Sequence, residues 1–91
     1  MLTYKIAYRM QMGAFLAEVL DFPGATAFGA SVADARTNLV SALRYAAESR
    51  LRRGEMLPTP DPHAGAVDAY LVEPVVVMPG AGSSVDLHAG R

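Results

Sequence analysis

The 91-residue chain contains no cysteine and no tryptophan. Without a thiol it cannot form a disulfide, use a thiolate nucleophile or bind zinc through sulfur. Its charges nearly cancel, since eight Lys and Arg stand against nine Asp and Glu and leave a net charge of −1. A chain with so small a net charge has no field that would gather nucleic acid or an anionic membrane. Thiol chemistry and electrostatically driven binding of polyanions are therefore excluded.

The chain also lacks a long hydrophobic run. No segment approaches the roughly 20 apolar residues of a membrane-spanning helix. The first residues, Met1 to Lys5, have no apolar block typical of a signal peptide. We therefore expect a cytoplasmic protein, built as one domain at this length. The apolar content of 52% is high for so short a chain and indicates that a partner or a second copy covers part of its surface.

The longest regular pattern runs from Ser31 to Arg53 and predicts one helix of about six turns. Ser31 is a suitable N-cap, and Asp34 stands where the second residue of a capping box belongs. Gly54 follows, at the position where a left-handed helix end favours glycine. Apolar residues recur at three- and four-residue steps on one face, and polar residues occupy the other. The apolar stripe comprises Val32, Ala35, Leu39, Leu43 and Ala46, and the polar face comprises Asp34, Asn38, Ser41, Glu48 and Arg52.

Three segments before the helix are predicted to be strands. Residues 2–10 alternate apolar and polar side chains, and residues 14–20 do so again after Gly13, so the two segments form a hairpin. Pro23 and Gly24 predict a tight turn, because proline presets φ at the first corner and glycine tolerates the second. Residues 25–28 then form a short third strand.

Prolines decide the prediction beyond the helix. Pro58, Pro60 and Pro62 exclude a helix or an inner strand and indicate a stiff surface connector. Residues 70–77 are rich in valine and predict a fourth strand. Because Pro74 removes a backbone donor, we place this strand at a sheet edge or expect a bulge there. The remainder has little to bury, so we predict a domain over residues 1–78 and a flexible tail over residues 79–91.

The predicted order is β-β-β-α-β, an α+β fold with a three-stranded antiparallel meander, one long helix and a fourth strand at the edge. A right-handed crossover through the helix is the strong default. The ordered set of features resembles the HicB antitoxin family over residues 4–60. The features are the second-strand segment Phe15 to Val19, the turn Asp21 to Gly24, Gly29 before the capped helix, and Gly54-Glu55 followed by Pro58.

The resemblance implies a partial RNase H-like fold without nuclease activity and a place in a type II toxin–antitoxin system. HicB-like antitoxins bind a small HicA-type mRNA-cleaving toxin, need no cofactor, and commonly form homo-dimers or tetramers. Many carry an additional C-terminal DNA-binding segment. Only fourteen residues follow Val77 here, so we do not expect this chain alone to bind operator DNA. Arg36 and Arg50 on the apolar side of the helix, and Leu20 before the turn, depart from the family pattern.

The residues suggest no catalytic or metal site. An RNase H-type nuclease needs convergent carboxylates, including one in the middle of the first strand, and residues 4–8 contain none. Glu18 is interpreted as a solvent-side or cross-strand polar residue, and Asp34 and Glu48 as residues on the solvent face of the helix. His63 and His88 stand alone and are interpreted as exposed.

Candidate interface residues lie on the helix and the fourth strand. Tyr45 falls away from the apolar stripe and offers a large contact area, and a valine-rich edge strand invites pairing with a second copy. Met10 and Met12 at the hairpin tip are interpreted as packing residues, with adaptable contact residues as the alternative. The expected partner interface or self-interface comprises Tyr45, Tyr70, Val72, Val75 and Val77.

The sequence therefore predicts a non-catalytic, antitoxin-like protein that binds and neutralises a HicA-type toxin. The alternative is an orphan HicB-like domain without a toxin partner, serving as a homo-oligomeric scaffold or as a small-molecule-binding module.

Overall fold

The computed structural model describes residues 1–90. Five antiparallel strands form a half-barrel sheet around one helix, which confirms the predicted α+β class. The strands lie in the order β3-β2-β1-β4-β5 across the sheet. In chain order the elements are β1 (Leu2–Gln11), β2 (Ala14–Val19), β3 (Thr26–Gly29), α1 (Val32–Arg52), β4 (Leu71–Pro79) and β5 (Val85–Ala89).

The β1–β2 hairpin forms as its alternating pattern predicts. Ile6 pairs with Val19 and Tyr8 with Ala17, so apolar side chains of both strands share one face. The connecting residue Met12 has a φ of 52°, and Gly13 after it is also left-handed. Two successive positive φ values make a turn whose twist matches that of the flanking strands. The hairpin therefore presents one continuous apolar face to the helix.

Helix α1 begins and ends close to the predicted bounds. The Ser31 hydroxyl accepts a hydrogen bond from the Asp34 N–H at 3.1 Å, and Gly54 takes a φ of 75° after the last turn. Ala46, predicted in the apolar stripe, packs against the core but is only partly buried, whereas the neighbouring Ala47 is fully buried. The fully buried helix residues are Ala35, Leu39, Leu43 and Ala47.

Strand β3 approaches α1 more closely than a side chain would permit. A Cβ placed on Gly29 would lie 2.2 Å from the backbone nitrogen of Ala35. Only glycine fits this position, because the obstacle is backbone that cannot rotate away. This contact fixes the distance between the first turn of α1 and the neighbouring edge of the sheet.

Strand β4 lies inside the sheet, between β1 and β5, so its predicted position at an edge is wrong. Pro74 is tolerated there because its backbone faces β5 opposite Gly90, just beyond the end of that strand. The Gly90 N–H donates to the Pro74 carbonyl at 2.9 Å. Because proline has no backbone N–H, one hydrogen bond is missing from the β4–β5 ladder. It is missing at the end of the ladder rather than in its middle.

The segment predicted as a flexible tail contains strand β5, so that prediction is wrong for residues 85–89. The strand pairs with β4 from Val75↔Ala89 to Pro79↔Val85. Val85 is buried in the same core as Tyr4 and Leu43. The sheet therefore continues past the predicted domain boundary at residue 78. Within residues 1–90, no helix has the length and apolar character that a membrane crossing needs.

Candidate partner-binding surface

Two of the five predicted interface residues belong to the core. Val75 and Val77 are 0% exposed, because odd-numbered residues of β4 share the helix-facing side of the sheet with Tyr4. They cannot contribute side chains to a partner surface, and their prediction is corrected. The other three are exposed, at 73% for Tyr45, 64% for Tyr70 and 39% for Val72.

The structure does not bring these three exposed residues together. Tyr45 lies on the outer face of α1, and Tyr70 lies just before β4, beside the turn end of the hairpin. Val72 lies on the face of the sheet turned away from the helix, since it pairs with Ala7, which is buried but lies outside the core cluster that contains the helix residues. A single partner-binding surface therefore cannot include all three of them.

An exposed apolar patch lies at the hairpin end of the sheet, and we call it the hairpin-end patch. Met10 pairs with Phe15 across the hairpin, and the rings of Phe15 and Tyr70 meet edge to face at 5.2 Å. Methionine and aromatic side chains are enriched in protein interfaces. The patch comprises Met10, Met12, Phe15, Tyr70 and Leu71, all of which except the partly buried Phe15 are exposed. The interpretation of Met10 and Met12 as packing residues is therefore wrong.

An ion-paired cluster supports the sheet beside this patch. Arg36 donates to both carboxylate oxygens of Glu73, at 2.6 and 2.9 Å, and the Tyr8 hydroxyl donates to the same carboxylate at 2.5 Å. Burial, reinforced by the hydrogen bond to Glu73, raises the pKa of Tyr8 above its ordinary value. Arg36 thus joins α1 to β4, the strand that begins at Leu71 beside Tyr70.

The later part of the proline-rich connector, residues 62–68, lies across the face of the sheet turned away from α1. The Lys5 ammonium donates to the carbonyls of Pro62 and Ala64 at 2.7 and 2.8 Å. Arg9 pairs with Glu18 on the neighbouring strand and also contacts Asp68, at 3.3 Å. Glu18 is therefore a cross-strand polar residue, as interpreted from the sequence. The connector and these ion pairs cover the middle of this face.

A cleft of about 610 Å³ lies between the turn after β2, the C-terminal part of α1 and the connector. Its walls include Phe22 and Arg50, whose guanidinium carbon lies 5.7 Å from the centre of the phenyl ring. On another wall, the Asp21 carboxylate accepts the Asp61 N–H at 2.9 Å. The cleft therefore places charges of both signs beside a buried aromatic ring.

Polar side chains of α1 contact both edges of the sheet. Asn38 donates to the Phe28 carbonyl of β3 at 2.8 Å. At the other edge, Arg44 donates to the Val85 carbonyl at 2.6 Å, and the Glu48 carboxylate accepts the Val85 N–H at 3.0 Å. Glu48 is thus half-buried against β5 rather than on the solvent face, and we call Arg44 and Glu48 the β5 clamp.

Residues 1–90 contain no group of three or more His, Asp or Glu side chains placed to hold a metal ion. His63 and His88 are exposed, as expected. No protein-family model matches the chain, and neither a curated protein nor a solved structure matches it.

Proposed function

We propose that this chain is a non-catalytic, HicB-like antitoxin that binds and neutralises a HicA-type mRNA-cleaving toxin in the cytoplasm. The hairpin-end patch is the observation that carries the proposal. Isolated domains rarely leave a contiguous group of methionine, tyrosine and leucine side chains in water unless another molecule covers it. The resemblance of residues 4–60 to HicB antitoxins, together with the α+β order of elements, supports a HicA-type toxin as that molecule.

The patch suits steric capture of a protein. Met10 and Met12 are flexible and polarizable, so they adapt to an irregular surface. Tyr70 already contacts Phe15 edge to face and therefore loses little conformational entropy when it is covered. In this mechanism the antitoxin needs no reacting group, because it covers the catalytic surface of the toxin.

The test is co-expression with the product of the gene adjacent to that of this chain, the proposed HicA-type toxin, measuring growth rescue and co-purification. We expect the wild-type chain to restore growth and to retain the toxin. The double variant Met10→Ala/Tyr70→Ala is expected to bind at least about tenfold more weakly, as truncation of central interface residues does. Failure of the wild-type chain to bind this toxin would contradict the proposal.

Tyr45→Ala is the matched control, because it removes a similarly exposed tyrosine from the outer face of α1. We expect it to retain wild-type binding. Loss of binding in Tyr45→Ala, with the double variant unaffected, would move the interface to the helix.

A second candidate function follows from the cleft beside Arg50. Its volume of about 610 Å³ falls within the range of small-molecule sites. In that case the chain is an orphan HicB-like small-molecule-binding module. A thermal-shift screen of metabolites, repeated on Arg50→Ala, would favour this function if one compound stabilised the wild-type chain alone.

A further inference from the structure

The outer edge of β5 carries backbone groups with a definite direction. The Gly90 N–H donates to the Pro74 carbonyl of β4 at 2.9 Å. Because N–H and C=O groups alternate in direction along a strand, the even-numbered residues of β5 face β4 and the odd-numbered ones face the open edge. The odd-numbered residues are Val85, Leu87 and Ala89.

The β5 clamp divides this edge into two parts. Arg44 and Glu48 occupy both outward groups of Val85, where the backbone of an added strand would otherwise lie. Within residues 1–90, no side chain or loop bonds the outward groups of Leu87 and Ala89. Two N–H donors and two carbonyl acceptors therefore remain at the edge, separated by His88.

We propose that β5 pairs antiparallel with β5 of a second copy, about a two-fold axis at His88. In this register Leu87 faces Ala89 of the second copy, and Ala89 faces its Leu87. The pairing forms four backbone hydrogen bonds and uses every outward group that the clamp leaves. A two-fold contact of this kind closes with two copies. The inference does not depend on toxin binding.

Charge and packing favour a second copy over an unrelated strand. Asp86 and His88 lie on the exposed face of β5. In the proposed register each Asp86 stands diagonal to His88 of the second copy, within reach of a side-chain contact. On the other face of the strands, the partly buried Leu87 of one copy contacts the partly buried Ala89 of the second copy. A register centred on Leu87 instead would place Ala89 of the second copy against Val85 and displace the clamp.

Cysteine cross-linking tests this register, because the full chain has no cysteine of its own. In the proposed pairing the two His88 residues form a non-hydrogen-bonded pair with Cα atoms about 4.5 Å apart, a separation that a disulfide spans. The two Asp86 residues would lie about 13 Å apart along the strands. In a glutathione redox buffer, we expect His88→Cys to form covalent dimers at least about tenfold faster than Asp86→Cys. Equal rates, or a faster Asp86→Cys, would overturn the register.

A second variant tests the backbone pairing itself. Leu87→Pro removes an outward N–H and leaves the β4–β5 ladder untouched, whereas Leu87→Ala keeps the donor. By sedimentation equilibrium, we expect Leu87→Pro to weaken the dimer at least about tenfold and Leu87→Ala to weaken it less. A wild-type chain that stays monomeric up to about 1 mM, or species larger than dimers, would overturn the proposal. Circular dichroism checks the fold of Leu87→Pro, and the cross-linking result decides if that variant does not fold.

Discussion

The two edges of the sheet are held to the same helix in different ways. At the β3 edge, Gly29 allows the backbones to come into contact, and the neutral amide of Asn38 adds one hydrogen bond. At the β5 edge, two charged side chains, Arg44 and Glu48, hold both backbone groups of Val85. The β3 edge is therefore sensitive to added volume, and the β5 edge is sensitive to the loss of a charged group.

The largest effect is expected in the buried core that lies between the two edges. Leu43 is buried beneath the sheet, and Leu43→Ala should lower the free energy of unfolding by about 2–4 kcal/mol through lost burial and the cavity left behind. Urea denaturation measures this change. Tyr45→Ala, on the exposed face of the same helix, is the control and should change stability by less than about 0.5 kcal/mol. A cost below about 1 kcal/mol for Leu43→Ala would mean that the buried stripe is misplaced.

Added volume should damage the β3 edge. Gly29→Ala forces a Cβ against the backbone of Ala35 and should cost about 1–3 kcal/mol, because β3 must move away from α1. Gly65→Ala is the control, since no atom lies within 4 Å of the added Cβ. Thermal unfolding of the two variants would show equal midpoints if the close approach were unimportant.

Loss of a polar contact should affect the β5 edge more than the β3 edge. Glu48→Ala leaves the Val85 N–H without its charged acceptor and should cost about 1.5–3 kcal/mol, as loss of a hydrogen bond to a charged group does. Asn38→Ala loses a neutral hydrogen bond but gains helix propensity, so its cost should be about 0–1 kcal/mol. Urea denaturation of both variants in parallel measures the difference. Equal costs would remove the distinction between the two edges.

The smallest effect on stability near neutral pH is expected from ionisation of the buried tyrosines of β1, the strand that lies between the two edges. Burial raises the pKa of Tyr4 and Tyr8 above the ordinary value of 10.0. The stabilisation that the two neutral tyrosines contribute is therefore complete below pH 10. It is lost as the pH rises further, because these tyrosines ionise at lower pH in the unfolded chain than in the folded one. Urea midpoints measured between about pH 9 and pH 11 should fall, and less steeply in Tyr8→Phe. A Tyr45→Phe control should follow the wild-type curve.

The helix and the hairpin could be predicted from sequence because local signals determine them. The Ser31 cap, Gly54 and the spacing of Leu39 and Leu43 all indicate one helix, and the structure confirms it. Strand β5 was missed although Val85 to Ala89 alternates apolar and polar residues. Its short length and the flanking glycines resemble a tail, and only its pairing with β4 makes it a strand.

The errors in the candidate site follow from that missed strand. Because β5 is not predicted, Pro74 indicates that β4 lies at an edge of the sheet. The valines of β4 then become interface candidates instead of core residues. The prediction that Glu48 faces solvent is wrong for the same reason, because its partner Val85 is not predicted to lie in a strand. Tyr70 was correctly expected to be exposed, but its contact with Phe15 joins residues far apart in sequence and depends on tertiary packing.

Pro74 also affects which end of strand β5 separates from β4 first. The rung opposite Gly90 has one hydrogen bond instead of two, whereas the opposite end of β5 is fastened at Val85 by side chains of α1. Local fluctuations of β5 should therefore begin at Ala89 and travel back towards Val85, so that the strand peels from its carboxyl end. The missing donor of Pro74 and the side chains that hold Val85 together determine which end of β5 exchanges its amide protons with water first.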